Sequence, residues 1–186
     1  MPLIVLVGSF ILLLAVHRLY KGLTFERAGR IAFSVMLLFT GSSHFFLTQG
    51  MVMSMPSIFP AKEALVYITG GLEIAFALAF ILLRNTKAVA WGLIAFLVAV
   101  FPANVYAALN HVDIENATYG GPGPSYLLFR GPLQLFFMAW VYYFGIHKPA
   151  ELQVKYYELR AVPPREGRVD VVEMEEREPG RPHYWD

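Results

Sequence analysis

Apolar residues dominate the first 146 positions in five long blocks, and the charged residues there fall almost entirely between the blocks. A helix that crosses a bilayer needs about 20 mostly apolar residues, within a range of roughly 17–25. Blocks at about residues 3–20, 31–50, 64–83, 89–109 and 126–146 come near that length and predict five spans. In the first, the shortest, Leu19 and Tyr20 extend the apolar run while His17 and Arg18 snorkel outward. No basic segment opens this block and no small-residue cleavage pattern precedes His17, so it is expected to be an uncleaved anchor. The predicted fold is all-α: a polytopic membrane helix bundle over residues 1–146, followed by a charged tail over 147–186.

Two connections stand out. The stretch 49–63 contains Met51, Met53, Met55, Pro56, Ile58, Phe59 and Pro60, and is too apolar for a free aqueous loop. It is expected to lie at the membrane interface or to fold back over the bundle. The run Gly120-Gly121-Pro122-Gly123-Pro124 cannot be helical and predicts a sharp re-entry turn. In the tail, residues 154–162 and 169–174 alternate around Pro163–Gly167. That pattern fits a β-hairpin, which alone in water is marginal, and equally a disordered charged segment.

Composition sharpens the membrane reading. Charged residues make up 16% of the chain, against about 25% in soluble domains. Of the 29 formal charges, 16 lie in the last 40 residues. Lys and Arg are one-sided: Arg18, Lys21, Arg27, Arg30, Arg84, Lys87 and seven in the tail fall on one side of the predicted spans, and Lys62 alone on the other. By the positive-inside bias, the N-terminus is expected outside and the tail in the cytoplasm, in the inner (cytoplasmic) membrane of a prokaryote. The absence of cysteine excludes disulfides, Cys-bound iron–sulfur clusters, thiolate zinc and dithiol redox chemistry. No basic stripe with interleaved aromatics marks a nucleic-acid partner, so the lipid bilayer is the first partner expected.

Candidate chemistry lies where polar residues interrupt the spans. A charge at the centre of a membrane helix costs on the order of 3 kcal/mol, so such residues usually face the interior and usually matter. Glu73 lies about 14 Å into the third span and Arg130 about 6 Å into the fifth, at 1.5 Å per residue. Gln134 is one turn below Arg130 on the same face, Asn104 follows Pro102 in the fourth span, and His44 follows Gly41-Ser42-Ser43 in the second. Alternating span directions place all five in the same half of the bilayer. A Glu73–Arg130 ion pair closed by His44, Asn104 and Gln134 is expected, forming either a ligand or proton site or a network that locks helices together. Imidazole, which titrates near neutral pH, is suited to proton handling. The repeats Gly71-Ala75-Ala79 and Ala95-Ala99-Ala103-Ala107 predict close-packed seams. Haem is disfavoured because His44 lies in one half of the bilayer and His17 and His147 at the opposite edge. No hydrolase, metalloprotease, P-loop or dinucleotide motif is present, and no catalytic activity by the chain alone is expected.

The run Gly41-Ser42-Ser43-His44-Phe45, the Pro56…Pro60 loop, Tyr67-Ile68-Thr69-Gly70-Gly71-Leu72-Glu73-Ile74, Pro102-Ala103-Asn104 and Leu128-Phe129-Arg130-Gly131-Pro132-Leu133-Gln134 occur in an order that resembles the DoxX-like family of small membrane proteins. The resemblance covers about residues 27–145. It implies a four-helix core, to which this chain adds one N-terminal span and the tail. It also implies an accessory subunit of a quinone-linked redox assembly, with a membrane or cytoplasmic redox partner and room for oligomers. The polar positions it carries over are His44, Glu73, Asn104, Arg130 and Gln134. In that reading Arg130 and Gln134 donate to a carbonyl oxygen of a quinone-like or other amphiphilic ligand. Glu73 and His44 carry protons, and Asn104 orients the ligand. A small proton-coupled carrier working through Glu73, and a purely structural anchor, are the rival expectations.

Overall fold

The computed structural model describes residues 1–19, 23–83 and 85–147; the tail from 148, with its expected hairpin, lies outside the described residues. Six α-helices follow one another: α1 (Pro2–Leu19), α2 (Phe25–Phe46), α3 (Thr48–Met53), α4 (Lys62–Leu82), α5 (Thr86–Leu109) and α6 (Leu127–Tyr142). A 3₁₀ turn (Pro124–Tyr126) leads into α6, and a π turn (Tyr143–His147) ends it. Among the described residues there is no strand, only an isolated bridge between Asp113 and Thr118. The all-α expectation is met.

Among the described residues three helices, α1, α4 and α5, are long and apolar enough to cross a membrane. The other two expected spans are helical but differ in character. Helix α2 begins at Phe25, ahead of the predicted boundary, because Thr24 caps it by accepting the amide hydrogen of Arg27 at 3.3 Å. It thereby takes in Glu26, Arg27 and Arg30, and Thr40, Ser42, Ser43 and His44 dilute its other end. Helix α6 is only 16 residues long before its last turn widens. In that turn Phe144 sits against Gly29 of α2, and Gly145 against Ala90 of α5, where a Cβ would stand 2.5 Å from the Ala90 methyl. A wider turn thus sets Phe144 and Gly145 into contact with two helices at once.

Helix α2 is the hub. One side of it packs against α4, the other against α1, and α6 is tied to it by the Trp140 indole, which donates to the Gly29 carbonyl at 3.0 Å. Phe33 of α2 meets Phe80 of α4 and Phe137 of α6 edge-on, with ring centroids 6.3 and 6.1 Å apart. These rings are joined in the core by Leu6, Met36, Leu37, Leu93, Leu97 and Val141. In α1 only Leu6 is buried, although the helix is apolar on every side. A helix of that kind needs a nonpolar medium around it.

The seams follow the predicted small-residue stripes only in part, with Ala107 buried and Ala79 and Ala103 half-buried. Gly71 has nothing within 4 Å of an added Cβ, and Ala75, Ala95 and Ala99 are exposed. The buried face of α4 is one residue away: Val66, Gly70, Ala77 and Phe80. Gly70 meets Gly41 of α2, and a Cβ on either would stand 3.0 Å from the other's carbonyl oxygen.

Both long connections lie at one end of the bundle, together with Met1. The apolar connection 47–61 folds back over the bundle, one of the two expected outcomes: α3 buries Thr48 and Gly50, Gly50 rests on the Ile114 carbonyl, and Lys62 Nζ donates to the Met55 carbonyl at 2.8 Å. The glycine–proline run turns the chain as expected. Gly123 adopts φ +76°, with the His111 ring 2.5 Å from where a Cβ would stand.

Candidate functional site

The five predicted residues gather at the loop end of the bundle as two groups rather than one. The first lies in the α2–α4 seam. Because Gly41 and Gly70 let the two backbones touch, Glu73 reaches across to α2: its Oε1 is 3.4 Å from His44 Nε2, and its Oε2 accepts from Thr40 Oγ1 at 2.6 Å. His44 Nδ1 lies 3.0 Å from the Val66 carbonyl and 3.3 Å from Thr69 Oγ1. The His44 and Glu73 side chains are 16% and 13% exposed.

Hydrogen-bond accounting defines what this group can do. A backbone carbonyl only accepts, so the Val66 contact assigns a hydrogen to His44 Nδ1. The other ring nitrogen, Nε2, is the one that faces the Glu73 carboxyl, at 3.4 Å. Thr69 also belongs to this group, as does Thr40, which was not anticipated although it lies four residues before His44 on the same helical face.

The second group lies between α5 and α6. Arg130, in the first turn of α6, donates from Nη2 to Asn104 Oδ1 at 2.6 Å and stands 5.9 Å from the centre of the Tyr126 ring. Gln134, one turn deeper and buried, donates from Nε2 to the Leu97 carbonyl at 2.7 Å. The expected Glu73–Arg130 ion pair does not form: among the described residues Glu73 is paired with His44 and Arg130 with Asn104. The physical reason is packing. The glycine contact commits Glu73 to α2, and the re-entry turn starts α6 beside the far end of α5. Gln134 ties α6 to α5 through its side-chain amide.

Arg130 stands in the walls of two cavities. One, of about 180 Å³, lies between the start of α1 and α6 and is mostly apolar, with Leu3, Ile4, Phe129, Leu133 and Phe137 around it. The other, of about 280 Å³, lies under the 110–123 loop, with Asn104, Asp113, Glu115 and Tyr126 in its wall. Composition gave no hint of these loop carboxylates as neighbours of Arg130. No group of three His, Asp or Glu able to hold a metal ion occurs among the described residues.

Asp113 organises that loop. Its carboxylate accepts from Asn116 Nδ2 at 2.8 Å and from the amides of Glu115 and Asn116 at 3.0 and 3.2 Å. The Asn116 side chain foremost, then these amides, hold its carboxyl below the ordinary value of 3.8. A depressed folded-state value contributes stability above the ordinary value and loses it as pH falls through the folded one. The turn over 113–118 is therefore expected to stay closed at neutral pH and to open only in strong acid, with Asp113→Ala opening it at every pH. Amide hydrogen exchange at Glu115 and Asn116 reads this directly; equal protection in the variant at pH 7 would remove Asp113 from that role.

Residues 33–145 match the model of a family described as Domain of unknown function (DUF8561). The chain belongs to that family. This overturns the DoxX-like resemblance: its motifs are short runs of small and polar residues within apolar helices, and packing demands alone bring such runs about in unrelated bundles. The quinone-linked accessory role rested on that resemblance and falls back to the geometry for support. No curated protein and no solved structure matches the chain. The DUF8561 region contains all five candidate residues and leaves out α1, whose first residues line the smaller cavity.

Proposed function

We propose that this protein is a multi-pass membrane protein that binds a small amphiphilic molecule in the cleft around Arg130. One observation carries this reading. Arg130 stands half-buried at the loop end of the bundle with a neutral partner, Asn104, no carboxylate within ion-pair distance among the described residues, and a cavity on either side. A cation placed so is costly, and residues of this kind in membrane helices usually serve ligands. In this arrangement Arg130 donates to an acceptor oxygen of the ligand, Asn104 holds the guanidinium in place, and Gln134 fixes α6 against α5. All five principal helices cross the cytoplasmic membrane, the loop end faces outward and the charged tail lies in the cytoplasm; the one-sided Lys/Arg distribution supports this.

Native mass spectrometry of gently extracted protein tests the proposal. The wild type is expected to retain a small molecule that is lost in Arg130→Ala and weakened in Arg130→Lys, which keeps the charge but not the bidentate fork. A ligand-free chain whose Ala variant merely unfolds more easily would sink it and leave the polar groups as helix contacts. A second reading, a proton-coupled carrier, is favoured by the approach of His44 to Glu73 inside the α2–α4 seam. It requires pH-driven flux into proteoliposomes that Glu73→Gln abolishes.

A further inference from the structure

The larger cavity presents charges of both signs. Arg130 and Asn104 stand in one part of its wall, and the 110–123 loop brings Asp113 and Glu115 to another. Neither carboxylate pairs with Arg130 within 4 Å among the described residues. Asp113 is fixed as an anion by its turn, and Glu115 is exposed at the rim. A purely anionic occupant gains at Arg130 but meets two carboxylates; a purely cationic one meets Arg130 unscreened. An occupant bearing both signs is favoured at each wall.

Size and the neighbouring cavity narrow the class. A volume of about 280 Å³ suits a polar headgroup but not a whole lipid. The smaller cavity shares Tyr126 and Arg130 with the larger, and apart from Met1 and Gln134 the rest of its wall is apolar, so Arg130 stands where a polar chamber meets a mostly apolar one.

We propose that the cleft takes a zwitterionic amphiphile. Its phosphate or carboxylate sits on the Arg130 guanidinium, its ammonium faces Asp113 and Glu115, and its apolar portion lies along Leu3, Phe129 and Leu133. This deepens the reading of the Arg130 cleft as a ligand site and rests on it. It also gives α1, which lies outside the DUF8561 match, a part in binding.

The test is competitive native mass spectrometry on the full chain, offering phosphatidylethanolamine and phosphatidylglycerol with identical acyl chains, with free phosphoethanolamine as a headgroup probe. The zwitterionic lipid is expected to be retained at least ten-fold over the anionic one. Arg130→Ala should lower both at least ten-fold. Glu115→Gln, at an exposed loop position away from the core, should bring the preference at least five-fold closer to parity without reducing phosphatidylglycerol binding. If phosphoethanolamine displaces the lipid, a free zwitterion shares the site; if it does not, the lipid is the source of the headgroup. Preference for phosphatidylglycerol, still lost in Arg130→Ala, would overturn the zwitterionic class and leave the cleft as a ligand site. Retention of neither lipid, with wild type and Arg130→Ala alike, would overturn the cleft itself.

Discussion

Gly70→Ala is expected to weaken the folded bundle by about 2–3 kcal/mol, whereas Gly71→Ala, one residue on, is expected to be neutral or to strengthen it by about 0.5 kcal/mol. The added carbon at Gly70 would stand 2.6 Å from His44 Cβ and 3.0 Å from His44 Cγ and from the Gly41 carbonyl oxygen. None of these is the loose end of a flexible side chain, so the two helices must move apart. That separation also pulls Glu73 from Thr40 and His44, and the steric cost comes with a polar one. At Gly71 nothing lies within 4 Å, and alanine brings only its better helix propensity. Unfolding of both variants in mixed detergent micelles measures the difference. Equal destabilisation at the two positions would place the α2–α4 contact on another face.

Glu73→Leu is expected to cost about 2 kcal/mol, and Glu73→Gln less than half of that, by the scale of polar contacts measured within membrane bundles. Leucine leaves His44 Nε2 without its partner in the seam, while the Thr40 hydroxyl falls back on the Met36 and Leu37 carbonyls at 3.2 and 3.3 Å, and a desolvated polar group stripped of its partner is costly. Glutamine restores both contacts: its carbonyl accepts from Thr40 and its amide donates to Nε2, with no dissociable proton required. A double-mutant cycle of Glu73→Ala with His44→Ala should give a coupling of about 1–2 kcal/mol. A coupling indistinguishable from zero would mean that the 3.4 Å approach is mere proximity. The same cycle between Glu73 and Arg130 is expected to give no coupling, because each has its own partner.

Depth was the part of the site most readily read from the chain. Counting residues along each apolar block brings His44, Glu73, Asn104, Arg130 and Gln134 to one end of the bundle, since helical rise is constant. Which of them meet was not legible, because that depends on helix rotation. Gly70 and Gly71 are adjacent and chemically identical, yet one is buried against Gly41 and the other open. A shift of one residue turns a helix by about 100°, so the predicted stripe over Gly71, Ala75 and Ala79 missed the contact face. The family resemblance failed for a related reason, being drawn from the very residues whose spatial partners were unknown.

The amino-acid sequence by itself determined an all-helical chain with apolar blocks, an apolar connection kept out of free water, a glycine–proline re-entry turn and polar residues at one depth. These follow from local composition and spacing, which act on each segment separately. Only the tertiary structure decided that the polar residues form two groups, that Asp113 and Glu115 face the Arg130 cavity, and that the start of α1 closes a second one. Those outcomes depend on which faces of the helices touch. That choice is made by side-chain volumes at a few crossings, among them Gly41 against Gly70, Phe144 against Gly29 and Gly145 against Ala90, and no single segment carries it.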